Sequence, residues 1–158
     1  MKRICILALA LVTCLAAQAA EPGALVSYTK KAKFEDVRDD LKTAIEARGL
    51  VVDYHSHVNA MLERTGKDVA SSKKVYRDAQ AFVFCSAALS RRMMEADAAN
   101  VAYCPYSVSV YATAAAPDQV VVAYQRPWRA DGSPASQAAL AEVDKLLDGI
   151  AREALGLQ

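Results

Sequence analysis

Apolar and polar positions change period several times along the chain, and each change marks an element. Leu25–Thr29 is a short run with β-formers; after it Phe34, Val37, Leu41, Ala44 and Ile45 fall at helical spacing, and Gly49 stands where a helix commonly ends. The pattern predicts a strand leading into an amphipathic helix. Ala32-Lys33 occupies the start of that helix where Ser, Thr, Asp or Asn would cap it, so the cap is weak. Leu50–Val58 alternates, with Val52, Tyr54, Ser56 and Val58 on one face and Val51, Asp53, His55 and His57 on the other, which is the period of a second strand. Met61–Gly66 reads as one helical turn and Lys67–Lys74 as a solvated loop. Ala81–Cys85 is apolar and aromatic, a central strand by composition. Ser86 is placed to cap a helix over Ala87–Asp97, whose buried stripe is Leu89, Met93 and Ala96.

Tyr106–Thr113 sets Val108 and Val110 against Ser107, Ser109 and Tyr111, and Gln119–Gln125 follows as another strand after Pro117-Asp118. Ser133-Pro134 places a cap before proline at the first helical position, opening a helix marked by Ala139, Val143, Leu146, Leu147, Ile150 and Ala154 and closed by Gly156. The order β-α-β-β-α-β-β-α has few helices for its strands. It predicts an α+β fold of two layers, a mainly antiparallel sheet with helices on one face. The other face is left to water, a ligand or a second subunit.

Composition narrows the function more than the fold. With 158 residues, 54% hydrophobic and 23% charged, the chain is neither a rod nor a disordered tail, and its formal charge of +1 offers no footprint for nucleic acid. The sequence contains no Walker loop, GxGxxG, GxSxG or HExxH, so the motifs that usually name an enzyme class are missing. Lys2 and Arg3 precede an apolar run from Ile4 to Ala17, which ends in the small-x-small pattern Ala17-Gln18-Ala19. Residues 1–19 therefore read as a cleaved secretory signal and 20–158 as a single globular domain released to the periplasm, with no membrane attachment after cleavage. The run is shorter than the roughly 20 apolar residues of a spanning helix. Thr13 before Cys14 is larger than a lipidation site tolerates. Cleavage removes Lys2 and Arg3, so Lys+Arg falls from 19 to 17 against 18 Asp+Glu. It also removes Cys5 and Cys14. Cys85 and Cys104 then enter an oxidising compartment as a pair, where a disulfide is permitted.

Three segments, Met61-Leu62-Glu63-Arg64-Thr65-Gly66-Lys67-Asp68, Phe84-Cys85-Ser86-Ala87 through Met94-Glu95-Ala96-Asp97, and Tyr103-Cys104-Pro105-Tyr106, resemble the bacterial and archaeal family called domain of unknown function 302. The resemblance spans about Leu25 to Trp128. It implies a TATA-binding-protein-like fold, a curved antiparallel sheet with helices on one side, often in a homodimer, and it implies no activity. Ser86-Ala87 replaces a proline common in the wider family, which places the chain in an exported branch.

Four groups of residues carry candidate chemistry. His55 and His57, with Asp53, project from one face of one strand about 6.5–7 Å apart, close enough for the two imidazoles to share copper or zinc. Thioethers from Met61, Met93 or Met94 would favour Cu(I), while a solvated polar face and a packed core are the plain readings of these same residues. Cys85 stands just before the Ser86 cap, where the positive end of a helix dipole lowers a thiol pKa, or else it is an inert hydrophobe at a strand end. If the flanking strands run antiparallel, an extended Ala98–Tyr103 segment retraces the helix and brings Cys104 beside Cys85 within disulfide reach. Tyr106, Tyr111, Arg126 and Trp128 are candidates for a ligand pocket or a dimer interface.

These features predict a periplasmic, non-catalytic, homodimeric domain binding a small molecule, metal or partner protein on its open sheet face. A thiol-redox protein using Cys85 and Cys104 is the competing class. Haem or copper binding for electron transfer, with His57 or Met94 as an axial ligand, is a third, although no Cys-x-x-Cys-His attachment site is present.

Overall fold

The computed structural model describes residues 24–71 and 73–157, so the expected signal over residues 1–19 lies outside the described residues. The elements are β1 (Leu25–Lys31), α1 (Phe34–Glu46), β2 (Val52–His57), α2 (Val58–Thr65), β3 (Tyr76–Phe84), α3 (Ala87–Ala96), β4 (Tyr106–Thr113), β5 (Gln119–Gln125) and α4 (Pro134–Ala154). Ala98–Tyr103 forms a 3₁₀ helix between α3 and β4. The strands make one sheet in the order β1-β5-β4-β3-β2, and every neighbouring pair is antiparallel. This is the expected α+β arrangement.

Strand β4 sits at the centre and shows why the sheet has two unlike faces. Tyr106, Val108, Val110 and Ala112 are buried, and the residues between them face the other way. Phe34, Val37, Leu41, Ala44 and Ile45 of α1 cover this buried row, and Leu140, Val143, Leu147, Ile150 and Ala154 of α4 extend the same core over the neighbouring β5 and β1. Each large aliphatic or aromatic side chain so buried contributes roughly 1.5–3 kcal/mol. Helix α4 is capped as its sequence demands: the Ser133 hydroxyl accepts from the Ser136 N–H at 3.2 Å, Pro134 is at the first position, and Gly156 takes a positive φ of 62° at the end. Helix α1 begins at Lys33 without a side-chain cap, as expected.

Polar groups pin α4 to the sheet. Asp144 accepts from the Tyr124 hydroxyl at 2.8 Å and from Arg126 at 3.1 Å. One turn on, Asp148 accepts from the Tyr28 hydroxyl and from Arg152, whose guanidinium lies 4.5 Å from the centre of the Tyr28 ring.

Several local features depart from the sequence expectation, beginning with β3, which starts at Tyr76 rather than Ala81 and ends at Phe84 rather than Cys85. Helix α2 spans eight residues rather than one turn. Ala98–Tyr103 is helical, not extended, because Asp97 accepts from the Ala99 N–H at 2.9 Å and the wholly buried Asn100 donates at 2.8 Å to both the Met93 carbonyl and the Ser136 hydroxyl. Finally, β2 carries a bulge at Asp53: Val52 pairs with Phe84, but Tyr54 pairs with Val83. One extra residue there reverses the face of everything that follows it.

Candidate functional site

The antiparallel register of β3 and β4 pairs Phe84 with Tyr106, so the residue leaving β3 and the residues entering β4 meet at one end of the sheet. Cys85 and Cys104 occupy that end, with their Sγ atoms 2.8 Å apart as free thiols. Two elements fix the pair. Helix α3 starts at Ser86, whose side chain accepts from the Leu89 N–H, and the 3₁₀ helix held by Asn100 returns the chain to Cys104, whose N–H bonds the Val101 carbonyl at 3.0 Å. The Cys104–Pro105 peptide is cis.

A line of hydroxyls approaches from the core. Tyr106, only 3% exposed, lies 3.1 Å from the Ser90 hydroxyl, which in turn lies 3.5 Å from Cys104 Sγ. Burial raises the Tyr106 phenol above its ordinary value, so it remains a donor across the neutral range. Burial also pushes the Cys85 thiol up to about 12, reinforced by the hydrogen bond and charge of Cys104 and by Asp53, while a bond from the Tyr106 backbone N–H opposes the shift. Of the two readings of Cys85, this environment favours the unactivated thiol at a strand end: loss of solvent and the second sulfur hold its proton on.

The histidines are placed differently from the sequence expectation. Because of the bulge, His55 pairs with Phe82 and His57 with Gln80, so both imidazoles lie on the helix-covered side of the edge strand rather than on the open face. His55 stacks on Phe82 with centroids 4.2 Å apart, and its Nε2 stands 2.8 Å from Gln80 Oε1. Burial is the main cause that lowers the His55 pKa, and the charges of His57, Arg38 and Lys42 lower it further. The two rings lie 4.5 Å apart. Among the described residues no group of three or more His, Cys, Asp or Glu is placed to hold a metal ion. Met93 is fully buried, whereas Met61 is exposed on α2. Two imidazoles alone fall short of the three protein ligands that a copper or zinc centre usually takes.

Of the expected ligand or interface residues, Tyr106 is in the core and does not reach the open face. Arg126 is held by Asp144, and the Trp128 carbonyl accepts from the Tyr103 hydroxyl at 2.7 Å. Tyr111 does reach the open face. There it meets Tyr76 edge-on at 5.7 Å and lines a groove of about 370 Å³ with Leu25, Val58, Ser109 and Gln125. Ser90 is the site residue missed from sequence, and Tyr106, expected at a ligand pocket or dimer interface, instead reaches the cysteine pair through Ser90. The signal for Ser90 is spacing, since it lies one helical turn beyond Ser86.

Residues 26–154 match the model of the family described as Domain of unknown function DUF302. The chain belongs to this family. The DUF302 match runs on through α4, beyond the Trp128 limit expected from motifs alone. Among solved structures, the chain resembles an uncharacterized conserved protein DUF302 from Bacillus stearothermophilus, with a TM-score of 0.68 and 13% identity, covering 83% of this chain and 98% of that one. At that identity the likeness speaks for the DUF302 fold alone. No curated protein matches the chain. Among the described residues, no helix is long and apolar enough to cross a membrane.

Proposed function

We propose that this DUF302 domain is an exported thiol–disulfide protein whose Cys85 and Cys104 cycle between dithiol and disulfide. One observation carries the reading: two sulfurs far apart in the chain stand 2.8 Å from each other at the end of a rigid antiparallel pair of strands. Closing them requires no rearrangement of secondary structure. In exchange with a disulfide, the protein gives up two thiol protons and two electrons, forms one S–S bond, and releases two thiols from the partner. Equilibration against glutathione buffers, read by intact mass, tests the function. A working pair has a potential above the roughly −300 mV below which structural disulfides sit. A value well below that makes the bond a staple and defeats the exchange function.

The open face supports a second reading, a binding domain. Its groove of about 370 Å³ is lined by tyrosine, serine, glutamine, alanine and aliphatic residues, none formally charged, which suits a small neutral ligand. A homodimer covering this face is the competing occupant. Light scattering separates the two, since a monomer at micromolar concentration leaves the groove free, and Ser109→Trp would then abolish binding of a neutral fluorescent probe without lowering stability.

A further inference from the structure

The two sulfurs are neighbours, yet their surroundings are unlike. The hydroxyl line Tyr106–Ser90 ends on Cys104 Sγ. Ser90 is 8% exposed and Tyr106 3%, so both hydroxyls are largely shielded from water and their positions are set by α3 and β4. A donor at this place stabilises negative charge on the sulfur it touches. Cys85 has the Tyr106 backbone N–H instead, and the Asp53 carboxylate of the β2 bulge acts on it unfavourably. Of the groups around the pair, the side-chain hydroxyls are aimed at Cys104, while Cys85 has one backbone N–H set against an opposing charge.

Resting on the thiol–disulfide function above, we propose that Cys104 attacks the incoming disulfide and Cys85 resolves the resulting mixed disulfide, with Ser90 and Tyr106 as positioning residues for Cys104. In the first step Cys104, having lost its proton to solvent, attacks one partner sulfur. A Cys104–partner S–S bond forms, the partner S–S bond breaks, and the departing thiolate takes a proton from water. In the second step Cys85 loses its proton to solvent and attacks Cys104 Sγ. The Cys85–Cys104 bond forms, the mixed disulfide breaks, and the second partner thiol leaves. Two protein thiols are oxidised and one partner disulfide is reduced.

The order is built into the coupling of the two sulfurs. While Cys104 is free, its hydrogen bond and charge add to burial in keeping the Cys85 proton on. Once Cys104 is tied up in the mixed disulfide, both of those influences are gone and the Tyr106 N–H remains, so Cys85 ionises more readily only after the first step. Premature attack by Cys85 is suppressed, and resolution is released when it is needed.

The test uses the full mature chain with glutathione disulfide as the probe. Cys85→Ser should accumulate one glutathione on Cys104, seen by intact mass and peptide mapping, and Cys104→Ser should react at least about tenfold more slowly. Ser90→Ala in the Cys85→Ser background should raise the pH midpoint of Cys104 alkylation, and Ser90→Thr should restore it, whereas a purely structural role would change thermal stability and leave the midpoint alone. A Cys104→Ser protein that traps glutathione as fast as Cys85→Ser would overturn the assignment while leaving the exchange function intact. A wild-type chain that keeps both thiols under glutathione disulfide would overturn the exchange function and the assignment together.

Discussion

The edge strand β2 and the β3–β4 junction each hold two side chains with chemistry to offer, and they treat them oppositely. His55 and His57 lie on one short strand, but the bulge at Asp53 turns both toward the helix-bearing face, where His55 stacks on Phe82 and bonds Gln80 while His57 stays exposed at the strand end. Cys85 and Cys104 are separated by 19 positions, and the ladder between β3 and β4 sets them sulfur to sulfur. Closeness in sequence made a pair of which the fold uses one member, His55, for packing. Closeness in register made a pair whose sulfurs stand within reach of each other. The polar groups along α4 make the same point, since Asp144 and Asp148 are both taken up by tyrosine and arginine partners.

The comparison can be broken most forcefully at the cysteines. Oxidation of the pair should stabilise the domain by about 3 kcal/mol in the chain-entropy model, a rise of roughly 10 °C in melting temperature. Differential scanning of oxidised and reduced protein measures it, and Cys85→Ser or Cys104→Ser should erase the difference. His55→Ala comes next: loss of the ring against Phe82 and of the Gln80 bond should cost about 1–2 kcal/mol in urea unfolding. His57→Ala, exposed at the end of β2, should change stability by less than about 0.5 kcal/mol. Equal costs for the two histidines would show that the bulge has not divided their roles.

Acidity sharpens the contrast further. Cys85 is held up to about 12 in the reduced fold, against about 8.5 for a free thiol. A raised folded value gives stability that is complete below the unfolded pKa and is lost as pH climbs toward the folded one. The advantage of the oxidised form should therefore widen from about pH 8.5 upward. His55 runs the other way. Its folded pKa is depressed, mainly by burial, so the unfolded chain takes up a proton near pH 6.5 before the folded one does, and stability should fall as pH drops below about 6.5. Urea midpoints at pH 7 and pH 5 should converge in His55→Gln.

Much of the fold is legible from pattern because period and punctuation agree at most elements. Tyr106–Thr113 alternates without interruption, and Ser133-Pro134 and Gly156 bracket the longest helix. The failures are where a single residue or a tertiary partner decides. No alternation in Leu50–Val58 announces that Asp53 is an extra residue, and the misplaced face of His55 and His57 follows directly. Ala98–Tyr103 has no helical periodicity of its own. It becomes a 3₁₀ helix because Asn100 reaches Ser136, 36 positions away. The cysteine pairing was readable once the strands were taken as antiparallel. The Cys85 environment stayed open between an activating helix terminus and an inert strand end, because sequence does not weigh burial and a second sulfur against the dipole.

The central claim is that Cys85 and Cys104 form a single exchanging pair, and peptide mapping after incubation of the reduced chain with glutathione disulfide tests it most directly. The account predicts loss of both free thiols and one cross-linked peptide joining Cys85 to Cys104, reversed by excess reduced glutathione. Two thiols that remain open to alkylation after that treatment, or a glutathione held permanently on each cysteine, would contradict it.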